Sequence, residues 1–466
     1  MRPTTPTSAA PSRPTLTKPV LFLAALIGAL FVLSPDLPTR EAQAAERDGR
    51  DGERGRALPV QLGPRPFYLL DRLRPGRLKD DLERCAARKT RYRASDFSIG
   101  HRGAPLLFPE HTAESYIAAA RMGAGILECD VTFTKDAELV CRHAQCDLHT
   151  TTDIVLRPEL AAKCQVPPEV DPVTGELLNG PNIKCCTSDL TLAEFKTLEG
   201  KMDAADRDAT TLEGYVGGTA DFRTDLYTTG GTLLSHAESI QLFKSLGAGF
   251  TPELKGVDRA VGFGESGLTQ VSYARELIQD YIEAGIRPDR VWAQSFNPDD
   301  VFLWIEEFPD YGRQAVFLDG RNVGGLAGDP PPLEAFLQLK AAGLNIIAPP
   351  MPVLLAVEGE GEDAEIVPSV YAERARQAGL DIISWTTERS GRIVEDVLEG
   401  GGAFYYQTTL EALENDGDIL RTIDVLAQDV GIIGLFSDWP ATTTFYANCK
   451  KVSTGARPNR RDDDDG

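Results

Sequence analysis

Residues 97–143 read FSIGHRGAPLLFPEHTAESYIAAARMGAGILECDVTFTKDAELVCRH. A short apolar run, Phe97 to Ile99, gives way to Gly100-His101-Arg102-Gly103. A stretch of helical period follows near 112–123, and a second apolar run leads into Leu127-Glu128-Cys129-Asp130-Val131. Strand, helix and strand in this order form the opening unit of an α/β fold. Glu128 and Asp130 stand two apart in the second strand, and a period of two places both carboxylates on one side of the sheet. Like charges held that close repel, so a bound cation is the simplest way to keep both ionised. The same region concentrates the imidazoles: of five histidines, His101, His111, His143 and His149 all lie between 97 and 152.

Outward from this unit, short apolar or β-branched runs keep alternating with segments of helical period. The predicted strands cover 97–101, 125–131, 249–255, 291–296, 314–318, 345–348, 381–386 and 432–437. Helices are predicted near 112–123, 236–246, 266–285, 299–308, 333–342, 368–378 and 391–399. Eight strands with helices between most of them predict a TIM-type (β/α)8 barrel, in which reactive groups stand at the carboxyl ends of the strands. The rhythm fails between 144 and 235, where turn signals such as Asp171-Pro172 and Asn179-Gly180-Pro181 accompany four of the eight cysteines. A structureless loop of that length is uncommon in a compact domain. The segment therefore predicts an insertion after the second strand, tied by disulfides and lying over the barrel mouth.

Hydrophobic residues make up 42% of the 466 and charged residues 25%, which suits a conventional core in a barrel enlarged by an insertion. A net charge of -22 argues against nucleic acid, so a phosphate-bearing ligand would have to be met by local cations. At the amino end Arg13 and Lys18 precede an apolar run from Pro19 to Leu33, followed by Ala42-Gln43-Ala44-Ala45. This is the pattern of a secretory signal peptide over 1–45, leaving no stable membrane span once cleaved; an uncleaved anchor is the alternative. Either way the body lies outside the cytoplasm, secreted or periplasmic. Residues 46–94 read as a charged, glycine-rich leader and one or two short helices, with Cys85 available to staple them to the body. The barrel then occupies 95–450, and 451–466, with Asp462 to Asp465, reads as a disordered acidic tail. Eight cysteines in an exported chain favour disulfides without fixing their partners, and a zinc site is the weaker alternative because no CxxC pair is present.

The reactive side chains fall where predicted strands end. His101 and Arg102 close the first strand, Glu128 and Asp130 the second, Glu253 and Lys255 the third, Gln294 the fourth and Trp385 the seventh. In a barrel these positions converge. Glu128, Asp130 and Glu253 would offer the hard oxygen ligands that Ca2+ or Mg2+ prefers. His101 and His143 have the side chain whose ordinary pKa is nearest neutrality and suit proton transfer at an attacking and a leaving oxygen. Arg102 could hold phosphate oxygens in a bidentate fork and Lys255 as a point charge. Gln294 and Trp385 are candidate substrate contacts, and the aromatic residues Phe222 and Tyr227 of the insertion read as packing or as contacts to an alcohol group.

Gly100-His101-Arg102-Gly103, Pro109-Glu110-His111-Thr112, Leu127-Glu128-Cys129-Asp130-Val131, Leu139-Val140 with His143, and Thr150-Thr151-Thr152 resemble the signature of the glycerophosphodiester phosphodiesterase family. Pro252-Glu253-Leu254-Lys255, Ser295-Phe296, Trp385-Thr386 and Ser437-Asp438-Trp439-Pro440 resemble its later blocks, in the same order. The resemblance implies a TIM-type barrel with an insertion after the second strand and one divalent cation, Ca2+ or Mg2+. It implies hydrolysis of a small-molecule glycerophosphodiester to glycerol phosphate and an alcohol. Carried over by position, His101 and His143 would be general acid and base, Glu128, Asp130 and Glu253 the metal ligands, and Arg102 and Lys255 the phosphate clamps.

Two positions depart from the family pattern. Ala144 stands where the family has Asp after its second histidine, so His143 needs another orienting group, with Asp147 the candidate; His111 replaces an Asn after Pro-Glu. The competing readings are a lysophospholipid or sphingomyelin phosphodiesterase of the same superfamily, a secreted glycoside hydrolase working with paired carboxylates, and a non-catalytic binding protein.

Overall fold

A computed structural model describes residues 58–452, apart from 225, 228, 229, 322–328 and 403. The expected signal peptide, the leader up to 57 and the tail from 453 lie outside the described residues. Among the described residues, no helix is long and apolar enough to cross a membrane.

Eight parallel staves close into a ring. The first is Ser95–Gly100. The second is broken into Ala124–Leu127 and Asp130–Phe133, and the third into Gly249–Phe250 and Glu253–Leu254 around Pro252, which has no N–H to give to a ladder. Gln294–Ser295, Val316–Leu318, Ile346–Ala348, Asp381–Thr387 and Gly434–Ser437 complete the set. Each pairs in parallel with the next. The eighth returns to the first through Ser98↔Leu435, Ile99↔Phe436 and Gly100↔Ser437. The TIM-type barrel read from the alternation of strand and helix is therefore present, with all eight predicted strands in place. Its interior is filled by inward-facing residues such as Ile99, Ile126, Val316, Ile346, Ile383 and Phe436, so the middle of the barrel is a packed core and not a pore.

The helices begin where the sequence caps them. Ser235 accepts from the Glu238 N–H while Glu238 reaches back to the Ser235 N–H, and Gly247 ends that helix in the left-handed conformation (φ 74). The segment expected over 266–285 forms a helix only over Gln270–Glu283, because the Thr269 side chain caps its first turn. It buries Tyr273, Ala274, Leu277, Ile278 and Tyr281, three and four apart, against the barrel. Three features were not foreseen. Leu139–Cys141 runs antiparallel to the second stave, a hairpin of Leu355–Glu358 and Glu365–Pro368 separates the sixth and seventh, and helices Asp418–Asp424 and Pro440–Lys450 flank the eighth.

Two amino-terminal helices, Arg65–Arg72 and Arg77–Arg88, are stapled to the last helix by Cys85–Cys449, with Cα atoms 5.6 Å apart across a separation of 364 residues. Cross-linking so long a loop restricts the unfolded chain strongly. The Cys85→Ser/Cys449→Ser variant is expected to lose about 3–5 kcal/mol of unfolding free energy. A denaturant midpoint equal to that of the unaltered protein would contradict this.

The interval from 142 to 235 carries short helices around a small core of its own, including Leu148, Ile154, Leu190, Phe195 and Tyr215. Cys146–Cys186 and Cys164–Cys185 tie it internally, and Cys129–Cys141 joins the second stave to the strand that leads into it. All eight cysteines are thus paired, which removes the zinc alternative. The segment leaves and re-enters the barrel at neighbouring points, since Val140 bridges Ser235 and the Cys141 N–H donates to the Leu234 carbonyl at 3.1 Å. It also grips the mouth. Tyr227 stacks on Phe108 in the loop after the first stave, with ring centroids 5.0 Å apart. Phe222 seats against Gly391 beyond the seventh, where a Cβ would stand 2.8 Å from the ring and φ is +82°. Of the two readings open for Phe222, packing is the one its environment favours.

Candidate active site

Strand register gathers the acidic groups. Asp130 lies opposite Glu253, and Glu253 opposite Gln294, across three neighbouring staves. Glu128, Asp130 and Glu253 are all buried, and one carboxylate oxygen from each lies within 4.8 Å of the others. Among the described residues this is the one such cluster of potential ligands. Glu128 is held from two sides, accepting from the Arg102 backbone N–H at 2.8 Å and from Gln294 Nε2 at 3.0 Å. Asp130 Oδ2 accepts from His111 Nε2 at 2.9 Å, and His111 Nδ1 lies 2.8 Å from the Tyr116 hydroxyl. Asp130 Oδ1 is buried and has no hydrogen-bond partner among the described residues. Lys255 Nζ pairs with Glu253 Oε1 at 2.6 Å.

These carboxylates disturb one another. Burial pushes Glu128 well above the usual carboxylate range, and the charges of Asp130 and Glu253 push the same way. Burial also lifts Glu253 to about 7 despite Lys255. Burial would raise Asp130 too, but Lys255 and His111 hold it well below its ordinary value. Three convergent carboxylates, one of them carrying a buried oxygen that no described group satisfies, fit an oxygen-loving dication that would let all three ionise.

The imidazoles flank this centre. His101 closes the first stave with Nδ1 hydrogen-bonded to Asp438 Oδ1, which assigns the neutral ring's proton to Nδ1 and proton exchange to Nε2. Burial lowers its pKa against the opposing charge of Asp438. His143 follows the antiparallel strand that runs back along the second stave, where Val131 faces Cys141 and the Arg142 N–H donates to the Asp130 carbonyl at 2.8 Å. Burial draws His143 well below its usual value, and Arg102 and Lys255 act in the same direction. Asp147 accepts from the Ala144 N–H at 3.0 Å, so its action beside His143 is on the backbone turn. Arg102 adopts φ 54 and His111 φ 55, left-handed backbone that is rare outside glycine and that clusters at functional sites. Gly103 completes the turn, since a Cβ there would come within 2.8 Å of the Ser115 backbone. Trp385 donates through Nε1 to the Ala348 carbonyl at 3.0 Å and meets Phe296 and Tyr405 edge-on, forming an aromatic wall at the mouth.

The sequence profile of the Glycerophosphoryl diester phosphodiesterase family matches residues 101–442, which contain every one of these groups. The chain belongs to that family. Its activity class is accordingly phosphodiester hydrolysis, and the acidic cluster lies where a divalent cation would be held. A protein of Arthroderma benhamiae described as "Extracellular protein" is 43% identical over 249 residues, spanning 53% of this chain and 99% of the relative. Glycerophosphodiester phosphodiesterase GDPD6 of Arabidopsis thaliana is 32% identical over 151 residues, 32% of this chain and 36% of that protein. The crystal structure of a glycerophosphodiester phosphodiesterase from Agrobacterium tumefaciens aligns over 74% of this chain and 98% of its own, at 14% identity and a TM-score of 0.40.

Three groups of this family member escaped the reading of the sequence. Asp438 could have been found, because it directly follows the eighth predicted strand. Glu110 lay inside a quoted block without a role; it accepts from Arg102 Nη1 at 2.8 Å and so aims the guanidinium. Arg389, two residues past the seventh stave, gave no signal, yet its Nη1 donates to Asp438 Oδ2 at 2.9 Å. Gln294, taken as a substrate contact, spends its amide N–H on Glu128.

Asp438 ties the site to stability. Burial would raise its carboxyl, but Arg389 and His101 bring it down to about 2, against about 3.9 in an unfolded chain. A depressed folded-state pKa gives stability that is fully present above about pH 5 and lost as the pH falls toward 2, about 2–3 kcal/mol in all. The gap in unfolding free energy between the unaltered protein and Asp438→Asn is therefore expected to narrow between pH 6 and pH 2.5. A gap that stays constant over that range would contradict it.

Proposed function

We propose that this chain hydrolyses glycerophosphodiesters to glycerol phosphate and an alcohol, with one Ca2+ or Mg2+ held by Glu128, Asp130 and Glu253. The observation that carries the reading is the convergence of three buried carboxylates from the second and third staves beside His101 and the segment ending in His143. Arg102 and Lys255 stand next to those carboxylates and are the groups available to hold nonbridging phosphate oxygens. His101, kept neutral by burial and backed by Asp438, takes the proton of the glycerol 2-hydroxyl as that oxygen attacks phosphorus. His143, discharged by burial and by Arg102 and Lys255 in the free protein, takes up a proton as the phosphodiester anion binds beside it and gives that proton to the departing alkoxide. The resulting cyclic phosphate is opened by water with the two roles reversed. The bound cation would supply Lewis-acid stabilisation of charge on the phosphoryl oxygens.

Gln294 contributes by fixing Glu128, and its Oε1, buried and without a partner among the described residues, is available to a substrate hydroxyl. Trp385, with Phe296 and Tyr405, would line the space for the alcohol. Residues 95–450 form the catalytic domain in this reading, with 144–235 as its insertion. Residues 1–45 would direct the chain to a secreted or periplasmic location, in keeping with its four disulfides.

The test is phosphodiesterase activity on a panel of glycerophosphodiesters, lysophospholipids, sphingomyelin and oligosaccharides, before and after chelation and re-addition of each cation. Cleavage of glycerophosphocholine that is lost on chelation supports the reading. Cleavage of intact lipid alone, of sugars with no cation requirement, or of nothing in the panel would overturn it.

A further inference from the structure

Resting on the phosphodiesterase reading above, we propose that the insertion is wired into proton transfer: Arg389 is a positioning residue acting through Asp438 on His101, and Asp203 and Arg223 of the insertion hold Arg389.

The geometry is a continuous line of alternating charges. Asp438 meets His101 Nδ1 with one oxygen and Arg389 Nη1, at 2.9 Å, with the other. Arg389 Nη2 donates to Asp203 Oδ2 at 3.2 Å and lies 3.7 Å from Glu110 Oε2. The other oxygen of Asp203 pairs with Arg223, whose Nε donates to the Pro105 carbonyl at 3.1 Å in the loop after the first stave. Side-chain exposure along the line is 2% at Asp438, 21% at Arg389, 16% at Asp203 and 9% at Arg223, so the links are largely shielded from water.

A guanidinium is a rigid planar fork, so one engaged at both terminal nitrogens by carboxylates from different elements cannot rotate without breaking one charge-assisted bond. Its backbone is fixed from the opposite side. The preceding residue, Glu388, is buried at φ 74 and accepts from Arg65 Nε at 2.8 Å and from the Thr442 hydroxyl. Arg389 thus sets the plane of the Asp438 carboxylate, and that plane sets the His101 ring. Without Asp203 the guanidinium keeps one fixed arm and can turn toward Glu110, drawing Asp438 with it. An insertion serving only as a cover would govern access and so KM. A wired one governs kcat.

The experiment compares kcat and KM on glycerophosphocholine for the full chain and for Arg389→Gln, Asp203→Asn and the double variant. In parallel, the exchange rate of the His101 Nδ1 proton is followed on cation-free, 15N-histidine-labelled protein, where only five histidines need assignment. Arg389→Gln is expected to lower kcat by about ten- to a hundredfold and Asp203→Asn by about tenfold, with KM within about twofold of normal. The double variant should be no worse than Arg389→Gln alone, and His101 proton exchange should accelerate in all three. Independent, multiplicative losses, a change confined to KM, or an Asp203→Asn protein with unaltered kcat and exchange would overturn the proposal. Should the unaltered protein cleave no glycerophosphodiester of the panel, the functional reading falls while proton exchange still decides this one; should it cleave another member of the panel instead, that substrate replaces glycerophosphocholine in the comparison. If Asp203→Asn does not fold, Arg223→Gln breaks the same line one link further out and is judged by the same measurements.

Discussion

His101→Ala and His143→Ala are each expected to reduce turnover of glycerophosphocholine by about a hundredfold to ten-thousandfold, the scale of losing a positioned general acid or base. The two losses have different origins. His101 sits at the end of the first stave with Nδ1 committed to Asp438, so the alanine variant removes a proton acceptor and leaves a buried carboxylate facing only Arg389. His143 stands among Arg102, Lys255 and Asp130, and its removal takes away the proton donor for the leaving oxygen without unpairing any acid. His101→Ala should therefore also lower the melting temperature, whereas His143→Ala should leave it nearly unchanged. Steady-state rates and a thermal melt on the same preparations check both statements, and near-normal turnover in either variant would remove that residue from the mechanism.

Chelation is expected to abolish activity, with Ca2+ or Mg2+ restoring it, and Glu128→Gln is expected to raise the cation concentration needed for half-maximal rate. The reason lies in burial and in the repulsion among the three acids, which together lift Glu253 to about 7 despite Lys255 and Glu128 well above its usual range. A dication reverses that repulsion, so each missing negative charge weakens its hold. Gln294→Ala acts one step away, by releasing Glu128 Oε1, and should weaken cation affinity by about tenfold while leaving all three acids in place. Titrating activity against free cation measures each effect. An unchanged cation requirement in Glu128→Gln would take that residue out of the ligand set.

How much of this could be read from the chain depends on which interactions are local. The staves were legible because each is a short apolar run between turn signals, and the charged residues at their ends were legible because a barrel brings those ends together. The spacing of Glu128 and Asp130 foretold a shared face, and the register of the second and third staves supplied Glu253 to it. What stayed hidden was made by contacts between residues far apart in the chain, from 49 positions for Arg389 and Asp438 to 186 for Arg389 and Asp203. Arg389 depends on Asp438, Asp203 and Glu110, and none of these distances leaves a periodic mark in the sequence. His111 illustrates a third case: its departure from the family pattern was visible, but its role in clamping Asp130 against Tyr116 emerges only when the left-handed turn folds it inward. The hairpin of 355–368 was missed because each strand is four residues long and its alternation is too short to stand out.

The adjacency of the points where the insertion departs and returns, at Val140 and Ser235, makes it an exchangeable cassette. Ends already close together add little closure entropy, so a donor segment of another length could replace residues 144–234, with Cys141 and His143 left in place, while the eight staves fold as before. Such a chimera would carry a new roof over an old hearth, and its turnover would depend on whether the donor brings an acid to the place of Asp203.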